Sequence, residues 1–350
     1  MAVGDSALIG GDSYLAVGRE TTYGTYNTAT AALDFVSAAL KLTKEGKIIE
    51  QIERSRTYSK RVHLSKTVEG EVEFYYAPLV DSCNFILQNA FGGAITTATA
   101  TGETAGGAAF THTVAVGAMV GTSYPSLCIN MRKGDATGGK IFEYSGLRVN
   151  ELTLSAEIDE GILCSASLIG KDATSGGSSV ASALTITASP VLSFVDGRIS
   201  VETSFASLTS TSFWHVQSVE LTMNNNLNAD SESRRIGSDT LVVCPPGILD
   251  VELKATIRFD TLTAWSAMVN ATQLSGQLEF LGPTMTTSVI RQGIKLNLPR
   301  LYVQDAGEPE VSDASGILTS EVTFHVLRDD TSATGYLIQA LITNNKSSYT

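Results

Sequence analysis

GLRVNELTLS, residues 146–155, and GIKLNLPRLY, residues 293–302, open in the same five-residue order: Gly, branched aliphatic, base, branched aliphatic, Asn. Neither copy has a catalytic or ligand-binding motif near it, so both read as strands. Strand side chains alternate between two faces. In the first copy Leu147 and Val149 hold one phase, while Leu152, Leu154, Ala156 and Ile158 hold the other. In the second, Ile294, Leu296 and Leu298 give way to Leu301 and Val303. A phase flip requires an extra residue, so each stretch is expected to carry a bulge or to cross between sheets. Pro299, which has no N–H to give, sits at the second flip.

The flanking sequence repeats in the same order. EVEFYY (71–76) and ELKATIRF (252–259) both alternate apolar and polar residues, and each runs into a helical pattern. In the first helix Leu79, Cys83, Ile86, Leu87 and Ala90 share a face after Pro78. In the second, Leu262, Trp265, Met268 and Val269 do so after Asp260, a candidate N-cap. Leu79 and Leu262 lie 183 apart; Leu40 and Leu221, in upstream strands, lie 181 apart. Downstream, GIL at 161–163 matches GIL at 316–318, with a smaller offset that an extra loop in the first half explains. A third GIL at 247–249 shows that order and spacing carry the argument. The expectation is a tandem duplication.

A length of 350 residues suits two cores better than one. Low charge content (17%) and many Thr, Ser, Gly, Val and Ala residues favour a mainly β class. Each half is expected to be a β-sandwich or open barrel with one flanking α-helix. Two small-residue stretches punctuate the chain: 92–109, read as a long loop within the first half, and 171–190, read as the junction. The expected division is an N-terminal arm (1–30), a first domain (31–175), a linker (176–190) and a second domain (191–350).

With 24 Lys and Arg against 36 Asp and Glu, the net charge is -12, the wrong sign for gripping phosphates. A like-charged wall past which nucleic acid slides remains compatible with it. Cys83, Cys128, Cys164 and Cys244 are too scattered for a zinc ribbon or a disulfide framework, and buried thiols are expected. No signal-peptide pattern and no run of 18 apolar residues is present, so a chain that is neither membrane-spanning nor classically exported is expected.

Motifs for chemistry are sparse. GDSAL (4–8) and GDSYL (11–15) superficially match an esterase nucleophile motif, but they lie in a Gly-rich amino-terminal segment rather than a strand-to-helix turn. His63, His112, His215 and His325 have no companion at metal-ligand spacing. No phosphate-cradling Gly-rich loop occurs. The sequons at Asn270 and Asn345 matter only on a glycosylating route. No cofactor and no catalytic residue is expected.

One segment stands out. KEGKIIEQIERSRTYSKRVHLSK (44–66) is basic within an acidic chain, and its counterpart at 223–238 carries Asn residues with Arg234 and Arg235. We read 44–66 as a hairpin arm, either simply solvated or docking on an acidic face of another subunit through Lys47, Arg54, Arg56, Lys60 and Arg61.

Finally, AVGRETTYGTYNTA (16–29), with Gly18, Glu20, Thr21, Thr22, Tyr23, Gly24 and Thr25, resembles the start of the major tail tube proteins of long-tailed, siphovirus-like bacteriophages. The resemblance continues through YSGLRVNELTLS and GILCSASLIGK to FVDGRIS (194–200). It implies β-sandwich domains flanked by a helix, joined edge to edge in rings of six domains around an inner barrel. It also implies rings stacked through loops and arms, and a lumen that DNA crosses during ejection. Partners implied are further copies of the chain, a tape measure protein, tail terminator and tip proteins, and DNA in transit; the location is the virion tail, after assembly in the host cytoplasm. Two fused domains would let three chains close a pseudo-six-fold ring. The alternative is a tail-tip or capsid-surface sandwich that binds a receptor or carbohydrate. Against it, only Trp214 and Trp265 are present, both in expected strand or helix.

Overall fold

The computed structural model of the chain describes residues 10–51, 57–103, 108–116, 124–135, 137–184, 187–209, 213–285, 288–309, 317–330 and 335–349. Its elements, in chain order, begin with β1 (Tyr14–Arg19), β2 (Ala31–Leu33), β3 (Ser37–Ala38), β4 (Lys41–Ile48), β5 (Arg61–Tyr75) and helix α1 (Asp81–Phe91). The first half continues with β6 (Ile95–Thr99), β7 (Phe110–Ala115), β8 (Leu127–Lys133), β9 (Lys140–Glu157), β10 (Leu163–Gly170) and β11 (Asp172–Ser175). The second comprises β12 (Gly197–Glu202), β13 (Val216–Asn224), β14 (Asp250–Arg258), α2 (Thr263–Val269), β15 (Leu274–Thr284), β16 (Arg291–Ala306), β17 (Thr319–Val326) and β18 (Gln339–Asn344). The chain is mainly β, consistent with a sandwich.

One wall runs through both halves. Its strands lie in the order β4, β5, β10, β9, β13, β14, β17, β16, each antiparallel to the next. Alternation explains why these segments pair in this way: Val72, Phe74, Leu152, Leu154, Leu221, Leu253 and Phe324 are buried on one face. Their neighbours, such as Glu71, Thr153, Thr222 and Lys254, stand on the other. Behind the wall, β2, β1, β8, β9 and β11 form one outer sheet, while β12, β15, β16, β18, β7 and β6 form another.

The flips of phase are where strands change sheets. β9 pairs with β8 and β11 through residues 140–147, then with β10 and β13 through residues 148–157. β16 pairs with β15 and β18 through residues 291–301, then with β17 through residues 301–306. Bulges occur at matching places. Leu127 and Ile129 face Leu147 and Tyr144, as Leu274 and Gly276 face Leu301 and Leu298. Ser167 and Leu168 face Glu151 and Val149, as Thr323 and Phe324 face Asp305 and Val303. The strand-to-helix corner repeats as well: Tyr76 N–H donates to Ile162 O and Phe259 N–H to Leu318 O, both at 2.9 Å.

The counterpart of Leu147-Arg148-Val149-Asn150-Glu151 in this pairing scheme is therefore Leu301-Tyr302-Val303-Gln304-Asp305. It is not the Gly293 stretch that matches it in letters. The two glycines serve different needs. Gly146 adopts φ 67°, whereas a Cβ on Gly293 would collide with the carbonyl oxygen of Phe280 on β15.

Other expectations need correction. The stretch 92–109 is not simply a loop: Gly92 caps α1 with φ 69°, and Ile95–Thr99 forms β6, paired to β7. Through β7 this insertion covers the edge of β18 in the second half, which an Thr-rich extended segment does well. The stretch 171–190 contributes β11 and buries Val180 near Tyr14 and Tyr26. α1 buries Cys83, Phe85, Ile86, Leu87 and Ala90 as its pattern requires. α2 buries Ala264 and Ala267, packs Met268 half-buried against the core and leaves Leu262, Trp265 and Val269 outward, because small residues let it lie close on β16. Asp260 does not cap it; its carboxylate is held by His215 and Arg258.

Candidate assembly surfaces

A wall of antiparallel strands exposes backbone donors and acceptors wherever it ends. Among the described residues, β4 has a strand, β5, on one side only, and β16 beyond Leu301 has only β17. In the middle of the wall β9 and β13, which hold the places that β16 and β4 hold at its ends, meet. β9 residues 151–157 pair with β13 residues 224–218, from Glu151 opposite Asn224 to Glu157 opposite Ser218. Asn224 Nδ2 donates to Glu151 Oε2 at 3.0 Å, and Asn225 N–H donates to Asn150 O at 2.7 Å. The apolar sides of Leu152, Leu154, Leu221 and Met223 seal this joint from below.

The opposite face of the wall is built from carboxylates and hydroxyls. Glu71 and Glu73 of β5, Glu151 of β9, Glu220 of β13 and Glu252 of β14 share it with Ser165, Thr153 and Thr222. Lys254 offsets part of the charge through Glu252 at 2.9 Å, which also raises its pKa. A face with this composition repels a polyanion.

The basic arm extends from the wall as the β4–β5 hairpin. Lys47 lies on β4 opposite Val62, and Arg61 on β5 opposite Ile48; Lys60 donates to Gln51 Oε1 at 3.2 Å. Arg54 and Arg56 lie outside the described residues. The composition of charge alone does not reveal that Ile48, Tyr58, Val62 and Leu64 of the same arm are exposed. The counterpart segment does not extend. It folds back on the arm's base, where Lys66 N–H donates to Asp239 O at 2.8 Å and Arg234 donates to Thr67 Oγ1 at 2.5 Å.

The amino-terminal motif acts at the point where β9 changes sheets. Glu20 accepts the N–H groups of Gly146 and Gly24, both at 2.8 Å, and the hydroxyl of Ser126 at 2.7 Å. Burial raises its pKa, and these three donors oppose the rise. Next to Gly146, Arg148 is buried and reaches across to the second half: its guanidinium donates to Cys244 O, and to Tyr124 O at 2.9 Å. It lies 4.6 Å from the ring centre of Tyr23, and burial lowers its pKa. A lone base flanked by Leu147 and Val149 was the available signal for this role.

The remaining chemical candidates are dispersed. All four cysteines are free and buried; burial pushes the Cys83 thiol up to about 12. His112 is buried between Thr97 and Asn344, while His215 and His325 pair with Asp260 and Asp250. Among the described residues no three His, Cys, Asp or Glu side chains gather as a metal site, and no helix is long and apolar enough to cross a membrane. GDSAL falls outside the described residues; in GDSYL, Tyr14 opens β1.

A wall with open edges, a polar face and a β4–β5 arm, without a clustered catalytic or metal site among the described residues, has the features of a structural subunit. The chain belongs to the phage tail tube protein family, whose sequence model matches residues 10–326. No curated protein matches it. It is a structural subunit of a phage tail tube, and its family places it in the virion tail and implies self-assembly into a tube.

Proposed function

We propose that three copies of this chain close a pseudo-six-fold ring, that rings stack into the tail tube, and that the carboxylate face of the wall lines a lumen through which DNA passes. The observation that carries this reading is the repeated pairing scheme. The strands β1, β8, β9, β10, β5 and β4 of the first half neighbour one another as β12, β15, β16, β17, β14 and β13 do in the second. Matching bulges support an origin by tandem duplication: the first repeat takes in β1 (Tyr14–Arg19), from the expected N-terminal arm, together with residues 31–175, and the second spans 191–350. A head-to-tail contact between non-identical edges forms a closed ring once its rotation divides a full turn. Two such units per chain make three chains sufficient.

The arm is the candidate for ring stacking. Lys47, Arg54, Arg56, Lys60 and Arg61 supply charge complementary to an acidic neighbour, and the exposed Ile48, Val62 and Leu64 add apolar area that favours burial. Tape measure, terminator and tip proteins would meet the tube at its interior and ends, and assembly would take place in the host cytoplasm. The test is electron microscopy of the purified chain. Rings with six density lobes, stacked into tubes, are expected; a dispersed monomer at every concentration and ionic strength would refute the reading.

The receptor-binding alternative gains little support. Trp214 packs against Phe324 with ring centres 6.0 Å apart, and Trp265 is an exposed indole on α2. They do not form an aromatic loop cluster of the kind that recognises sugars.

A further inference from the structure

The joint inside the chain specifies the joint between chains. We infer that residues Gln304–Gly307 at the open edge of β16 pair antiparallel with residues Lys41–Lys44 at the open edge of β4 in a second copy, placing Asp305 opposite Thr43. This inference rests on the ring reading above and gives it a register.

The derivation uses only paired residues. In the wall, Glu151 and Asp305 hold the same place, each following a bulge and facing Ser167 or Thr323. Asn224 and Thr43 also correspond. Asn224 faces Asp250 on β14 and Thr43 faces Thr67 on β5, the two partner strands entering the same strand-to-helix corner at Phe259 and Tyr76. Glu151 lies opposite Asn224 within the chain. Copying that relationship outward sets Asp305 opposite Thr43, Ala306 opposite Leu42 and Gly307 opposite Lys41.

The side chains suit the register. Asn224 donates to the Glu151 carboxylate in the internal joint; Thr43 offers a hydroxyl to the Asp305 carboxylate in the external one. Lys41 stands diagonally across from Asp305 on the same face, within reach of a long side chain. Ala306 is buried and Leu42 half-buried on the apolar side, as Leu152 and Met223 are in the internal joint. The sequence also ends the joint. Glu308 would fall on the apolar side where Leu154 stands, and Pro309 has no N–H to donate. The outer seam is therefore shorter than the inner one, and a tube built this way has three strong and three weaker seams in each ring.

The test is a chain carrying Thr43→Cys and Asp305→Cys. The four native cysteines are buried and free, so they leave the new pair to report. Assembled tubes are oxidised mildly, then dissolved in denaturant without reductant. The expected result is conversion of most of the chain into linked species of up to three chains, reversed by reductant and absent from either single variant. A displaced pair, Lys47→Cys with Asp305→Cys, lies roughly 13 Å along the strand and should not link. Tubes that form normally but show no linkage, or link equally in the displaced pair, would overturn the register while leaving the tube reading intact. Failure of the unmodified chain to form any ring or tube would overturn both.

Discussion

The Glu20 carboxylate accepts the backbone N–H of Gly146 at 2.8 Å, tying the amino-terminal motif to the residue where β9 leaves one sheet for the other. Gly146 sits at φ 67°, and a Cβ there would press on Lys171. The motif thus fixes a kink rather than forming a binding loop. Glu20→Gln places an amide donor against the N–H groups of Gly146 and Gly24 and should cost about 1–3 kcal/mol, measured by denaturant unfolding. Unchanged stability would show that the kink holds without the carboxylate.

The same residue gives a pH dependence. Burial raises the folded-state pKa of Glu20, so the folded chain binds its proton more readily than the unfolded chain. Its contribution is fully present below the unfolded value and is lost as pH rises through the folded value. The stability gap between the natural chain and Glu20→Gln should therefore widen on acidification from neutral pH towards the ordinary carboxylate range. A gap that narrows would contradict burial as the leading cause.

Arg148 bonds carbonyl oxygens of Tyr124 and Cys244, on segments well apart in sequence. Arg148→Met keeps much of the stem's packing but strands both buried acceptors, with an expected loss of about 1–3 kcal/mol. Urea unfolding checks the size. Proteolysis should also open the 225–249 segment first; cleavage elsewhere would deny the guanidinium its role in holding that segment.

Much of this was legible in the sequence, for identifiable reasons. Period-two alternation in 71–76 and 252–259 placed two strands of the wall, because one face is apolar and the other solvated. The phase flips at 146–155 and 293–302 marked real crossings, since a bulge leaves a countable extra residue. The correspondence of the two glycines was misleading: Gly146 is needed for a positive φ and Gly293 for close approach of a neighbouring strand, demands that leave the same letter. The exposed face of α2 is not legible in its letters, because Leu262 and Trp265 suggest burial, while close packing on β16 selects Ala264 and Ala267. The open edges were invisible, since an unpaired strand is spelled like a paired one.

The arm predicts a separation of folding from stacking. Replacing Arg54, Arg56, Lys60 and Arg61 by Ser should leave far-ultraviolet circular dichroism and unfolding unchanged while shortening tubes. Tubes of normal length in micrographs would remove the arm from the stacking account.

The proposal that the carboxylate face lines the lumen predicts how tubes treat nucleic acid. Tubes of the natural chain should retain no double-stranded DNA at low salt. Tubes carrying Glu71→Lys, Glu151→Lys and Glu252→Lys together should retain it, with release as salt increases, because each base added to that face adds a counterion-releasing contact. Equal DNA retention by both tubes would mean that another face lines the channel.

The most direct measurement of the central claim is the mass of an isolated single ring by native mass spectrometry. Two like units per chain predict three chains, three times the 37.0 kDa of one. A ring of six chains, with twice that mass, would mean that only one half of each chain forms the wall of the tube.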